Sequence, residues 1–251
     1  MNEILITAAG VGGSTIIGSL LGYFRKNVSH RVNDSIIGLC AGIMLSAAVL
    51  GLMVPAFGMV GSWSGVWLPC VVVAAGALLL NVRDHITPHL HNITGIEQET
   101  HLHNQNIDRV MLFVMAIALH KFPEGLAAGV GFGGGAAVDG ASSVAIAISL
   151  QNVPEGMVII SPLLLAGVSR WRTFLIAIAI GMLEVLGVFT GYYFGGISTA
   201  ILPFMLALAG GAMLYVVSDE MIPESHAHGY QKSATYALLA GFVFMILLDR
   251  I

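Results

Sequence analysis

The residues best equipped for chemistry lie where charge is least expected. His120 and Glu124 stand four apart, and Gln151 and Glu155 repeat that spacing. Each glutamate follows a proline and precedes a glycine, as Pro123-Glu124-Gly125 and Pro154-Glu155-Gly156. Residues four apart share one helix face, so each pair sets an imidazole or an amide beside a carboxylate. Lys121 and Glu184 add two more charges in equally apolar surroundings. Imidazole with carboxylate suits zinc and other first-row divalent ions. The set holds no thiolate, so it binds less tightly than a closed structural site, as suits an ion that must leave. Met44 is the candidate from another helix for a soft thioether contact, with core packing as the competing reading. A proline also lacks a backbone donor and disturbs the carbonyl four residues back. Those carbonyls belong to Leu119 and Leu150, beside the candidate ligands.

The elements that must carry these residues follow from composition. Only 10% of the 251 residues are charged and 57% are hydrophobic, with a mean hydropathy of +0.87. A soluble domain carries about 25% charged residues, so this chain cannot coat a water-facing surface. The apolar runs are long and continuous, which argues for spanning helices rather than for a barrel of alternating strands of about ten residues. Eight stretches qualify: 4–24, 36–57, 63–82, 109–131, 141–166, 173–195, 198–218 and 233–250. The first reads as a retained helix, not a cleaved leader, because no basic segment precedes it. Both cysteines, Cys40 and Cys70, fall in apolar runs, which makes a disulfide framework improbable. The fold class expected is an all-α integral membrane protein forming one transport domain over 1–251.

Depth brings the chemistry together. His120, Gln151 and Glu184 each lie about 15 Å along their spans, half of a roughly 30 Å hydrocarbon core. One charge at that depth costs about 2.5–3.5 kcal/mol, and four left alone would cost on the order of 10 kcal/mol. Lys121, Glu124, Glu155 and Glu184 must therefore face inward and satisfy one another, a cavity or an ion. A lone intramembrane histidine or glutamate is often just a helix–helix hydrogen bond or a proton relay. Two matched motifs plus a third acid at the same depth make that reading poor for the group.

Orientation comes from the basic residues. Arg25, Lys26, Arg31, Arg83, Arg109, Arg170, Arg172 and Lys232 all fall in connections on one side, against Arg250 on the other. That side is expected to be cytoplasmic, which puts both termini outside, in the plasma membrane. The long connection 83–108 is then a cytoplasmic loop bearing His85, His89, His91, His101 and His103. Histidine-rich tracts bind metal, and a solvated linker is the plainer alternative. After the seventh span, Glu220, Glu224, His226 and His228 cluster on the same side and form a candidate release path, with ordinary interface polarity as the alternative.

Two echoes suggest internal repetition. The Pro-Glu-Gly motif occurs twice. Ala41-Gly42-Ile43-Met44-Leu45 with Pro55 beyond it parallels Gly210-Gly211-Ala212-Met213-Leu214 with Pro223 beyond it. Inverted repeats that meet at a midplane site are common in transporters. Three helices, a central pair and three more would fit, although shared small-residue packing explains the second echo equally well.

At these residues the chain resembles the ZIP family of zinc- and iron-regulated metal transporters, nearest its compact prokaryotic members. His120-Lys121-Phe122-Pro123-Glu124-Gly125 resembles the family's His-Asn-x-Pro-Glu-Gly motif, and Gln151-Asn152-Val153-Pro154-Glu155-Gly156 resembles its counterpart in the next helix. The resemblance spans essentially the whole chain. It implies a 3+2+3 arrangement of eight helices and movement of metal toward the cytoplasm. It implies a first site of Met44, His120, Glu124, Gln151 and Glu155, and a second that shares Glu124 and Glu155 with Asn152, Glu184 and an asparagine. Here the sequence departs, because Lys121 stands in place of that asparagine. A protonated amine has no lone pair, so Lys121 is expected to fill the second position as a cation, paired with Glu155 or Glu184.

The reading is thus a transporter of divalent metal, zinc first, with cadmium, iron(II) and manganese(II) open. No resident cofactor and no nucleic-acid partner are expected. The partners are metal ions and the bilayer, with the oligomeric state, a homodimer included, left open. An intramembrane metal-dependent hydrolase and a proton- or sodium-coupled carrier of another ion are the alternatives. The first lacks a His-Glu-x-x-His string.

Overall fold

The computed structural model describes residues 2–24, 29–60, 65–86, 121–133, 140–165, 168–198 and 200–248. These residues form eight helical rods. They are α1 (Asn2–Phe24), α2 (His30–Gly58), α3 (Trp67–Ile86), α4 (121–130), α5 (Ala141–Leu165), α6 (Arg170–Ile197), α7 (Leu202–Ser225) and α8 (Gln231–Leu248). Five of them, α1, α2, α6, α7 and α8, are long and apolar enough to cross a membrane.

Local chemistry sets the ends. The Ser29 and Ser169 side chains accept from the backbone N–H groups of Val32 and Arg172, which caps α2 and α6. Three boundaries differ from the sequence reading. Helix α2 begins at His30, earlier than hydropathy suggests, because the serine cap starts it among polar residues. Helix α3 runs through Ile86, so His85 lies in a helix rather than in the loop. Helix α7 continues to Ser225, so Glu220 and Glu224 belong to its last turns and do not follow it.

Both α2 and α7 widen before a proline. Residues Ala47–Met53 and Val217–Met221 form π-helical stretches, after which Pro55 and Pro223 enter the next regular turn. The Val54 and Ile222 N–H groups bond to Val49 and Val217, five residues back. The wider turn accommodates a ring that would otherwise strike the preceding coil.

Glycine determines how closely the rods approach. A Cβ at Gly18 or Gly156 would overlap the carbonyl of Val153 or Thr15, locking α1 on α5. Gly187 and Gly125 meet the Phe122 and Glu184 carbonyls and lock α6 on α4. Gly42 and Gly241 join α2 to α8, and Gly211 and Gly76 join α7 to α3. Gly12 and Gly181 abut each other where α1 crosses α6. Small residues serve this purpose in lipid, where apolar burial drives no helix association. Large apolar side chains such as Trp67, Leu79, Trp171, Tyr193, Tyr236 and Leu247 face outward, as a lipid-facing surface would have them.

Candidate metal centre

Helices α1, α4, α5 and α6 bring polar groups together in one buried cluster. Lys121, Glu124, Gln151, Asn152 and Glu184 are at most 3% exposed, and Thr15 and Met44 are fully buried. At the centre of the acids sits the Lys121 ammonium. It donates to Glu124 Oε2 at 2.6 Å, Asn152 Oδ1 at 2.7 Å and Glu155 Oε2 at 2.5 Å. Glu184 Oε1 lies 3.6 Å away. Asn152 turns its amide nitrogen to Glu184 Oε1 at 2.7 Å and to the Val11 carbonyl at 3.2 Å. The Thr15 hydroxyl donates to Glu184 Oε2 at 2.5 Å. Both oxygens of Glu184 are therefore occupied, and every donor of Lys121 has an acceptor.

Part of the cluster is unsatisfied. Gln151 Oε1 and Nε2 and Glu155 Oε1 are buried without a hydrogen-bond partner among the described residues. Such groups are costly when left unpaired, and oxygen donors of this kind suit a cation. Met44 lies on α2, which packs against α5. Among the described residues, no three His, Cys, Asp or Glu side chains form a group that could hold a metal ion. The Lys121 ammonium stands among three acids, Glu124, Glu155 and Glu184. His120 lies outside the described residues, as do His89, His91, His101 and His103.

The residues near the end of α7 divide. His226 is tied down within the chain. Its Nδ1 is 2.8 Å from the Ile222 carbonyl and 2.9 Å from Ser225 Oγ, and its Nε2 is 3.1 Å from Thr235 Oγ1. His228 instead reaches across to α2, where its Nδ1 bonds Asp34 Oδ1 at 2.9 Å and its ring stacks on His30 with centroids 4.6 Å apart. Asp34 is fully buried, and its Oδ2 has no hydrogen-bond partner among the described residues. Glu220 and Glu224 are partly buried in the last turns of α7.

Four residues of this architecture escape a sequence reading: Thr15, Cys40, Asp34 and His30. Thr15 looks like an ordinary small helix residue, and Asp34 and His30 look like interface polarity beside a basic connection. Cys40 carried a usable signal, since it stands four residues before Met44 on one helix face.

Comparison with known proteins adds an independent line. The family model described as "ZIP Zinc transporter" matches residues 94–249. The chain is 35% identical to "Zinc transporter ZIPB" of Bordetella bronchiseptica over 99% of its own length and 82% of that protein's. It is 38% identical to "Zinc transporter GufA" of Myxococcus xanthus, covering 99% and 98% of the two chains. A shorter match, 44% identical over 146 residues, joins 56% of this chain to 43% of human "Zinc transporter ZIP11".

Proposed function

The chain belongs to the ZIP family of zinc transporters, and from that premise we propose that it carries one divalent ion at a time, zinc first, through the α2–α5 flank of the buried centre. It is a membrane transporter and not an enzyme, which closes the hydrolase reading. Cadmium, iron(II) and manganese(II) share enough coordination chemistry to follow the same route.

The carrying observation is the place of the Lys121 ammonium among Glu124, Glu155 and Glu184. Three carboxylates against one ammonium leave two negative charges, which a single divalent ion neutralises. In this reading Met44, His120, Glu124, Gln151 and Glu155 receive the ion. Asn152 and Glu184 hold Lys121 in the position of a second metal. Release then runs past Glu220, Glu224, His226 and His228, and His226 reaches an ion only by giving up its internal bonds. The histidine-rich segment around 83–108 serves as a weak acceptor on the cytoplasmic side, with both termini outside the plasma membrane.

A 3+2+3 inverted repeat is part of the same proposal, and the glycine contacts support it. Exchanging α1 with α6, α2 with α7, α3 with α8 and α4 with α5 carries each contact onto another. Gly18 on Val153 becomes Gly187 on Phe122, and Gly156 on Thr15 becomes Gly125 on Glu184. Gly42 on Leu238 becomes Gly211 on Val73, and the Gly12–Gly181 crossing maps onto itself. The widened turns before Pro55 and Pro223 obey the same exchange.

Zinc uptake by the purified protein in liposomes tests the transport reading. Wild type should accumulate zinc, and Glu155→Ala should fall to the protein-free background. Full uptake by Glu155→Ala would remove that residue from the route.

A further inference from the structure

Cys40 is 1% exposed and sits in α2 one turn before Met44, on the same face. Its Sγ lies 3.9 Å from the Gln151 carbonyl. A helical carbonyl points toward the C-terminal end of its helix, so the thiol lies beside α5 between the levels of Gln151 and Glu155. It is within reach of the charges on Glu155, Lys121 and Glu124. On α5, the Gln151 amide, 1% exposed, and Glu155 Oε1 have no hydrogen-bond partner among the described residues. Met44 shares the Cys40 face of α2, and Glu155 shares the Gln151 face of α5, the helix on which α2 packs.

We propose that Cys40 is a metal-contacting residue of the transport route, a thiol that the ion meets on the release side of Met44 and that favours soft ions, cadmium and zinc, over manganese. The inference rests on the transport reading above for the direction of travel, but not for the contact itself. The physical basis is ligand softness: thiolate selects zinc- and cadmium-like ions, whereas an all-oxygen site suits manganese. On binding, the sulfur–proton bond is replaced by a sulfur–metal bond, and the proton leaves to the aqueous medium.

The chain has two cysteines, and the other, Cys70, is exposed, so the test is clean. Full-length Cys70→Ser protein in detergent, titrated with cadmium alone, should develop the ultraviolet thiolate-to-cadmium charge-transfer band. The band should vanish in the Cys40→Ser, Cys70→Ser double variant, while that variant still elutes as folded protein. In liposomes, Cys40→Ser should lower the ratio of cadmium to manganese uptake by about tenfold, the scale of losing one supporting contact at a metal site, with zinc uptake persisting. Bound cadmium with no band in Cys70→Ser, or an unchanged uptake ratio, overturns the proposal. Absence of uptake by the parent protein would instead defeat the transport reading, and the band would still decide whether Cys40 meets the metal.

Discussion

At the scale of the residue, Lys121 is the unusual choice. Burying an ammonium and three carboxylates is tolerated because Lys121 has three short contacts and Glu184 has both oxygens filled by neighbours. Breaking such a buried arrangement by removing one partner costs about 3–5 kcal/mol. Lys121→Asn should therefore lower the melting temperature of the metal-free protein. It should also enlarge the stabilisation that zinc provides, because ligand binding to the folded state restores what the lost cation supplied. Elemental analysis should then find two metals per chain where wild type holds one. A single metal in both proteins would show that Lys121 does not stand in for a second ion. Asp34 makes a milder case. Asp34→Asn should weaken the tie between α2 and the segment after α7, seen as faster amide exchange around His228, with zinc binding at the centre unchanged.

At the scale of the element, glycine and proline do most of the positioning. Gly125 lets α4 meet the carbonyl of Glu184, and Gly156 lets α5 meet that of Thr15. Each glycine follows the glutamate that its helix contributes to the centre, so a shift of the helix moves the acid directly. Gly125→Ala and Gly156→Ala should each destabilise the protein by about 1–3 kcal/mol, the usual range for overpacking, and reduce zinc uptake to a similar degree. A large effect at one position with none at the other would argue against the repeat. Pro223→Ala restores a donor and removes the ring that the widened turn accommodates. Residues 217–221 should then relax toward regular α-helix, turning Glu220 relative to Glu224, and zinc release should slow more than zinc binding weakens.

At the scale of the whole molecule, the rods divide the work. Helices α3 and α8 present large apolar side chains outward and brace α7 and α2. Helices α4, α5 and α6 each supply one acid, and α1 crosses α6 at Gly12 and Gly181. Deleting 90–104 should leave zinc uptake by the helical body largely intact while altering how uptake responds to internal zinc, because no charged group of the centre lies in that segment. Complete loss of uptake in a well-folded deletion would assign the segment an obligatory step.

Much of this was legible in the one-dimensional chain. Low charge and long apolar runs dictate a helical membrane protein, because lipid leaves backbone groups no partner outside the helix itself. Motif spacing and depth singled out Lys121, Glu124, Gln151, Glu155 and Glu184, because charge at mid-membrane is too costly to be accidental. The sequence also carried the lysine that departs from the family motif. Folding decided what spacing along one helix cannot. It brought the Lys121 ammonium among three acids from three helices, assigned Asn152 and Thr15 to satisfying Glu184, and left the Gln151 amide and one oxygen of Glu155 without a partner among the described residues. It also bound His226 within the chain, turned His228 to Asp34 and set Cys40 beside the centre. Those outcomes depend on which helix faces meet, and close backbone approach at glycine settles that only once all the rods are assembled.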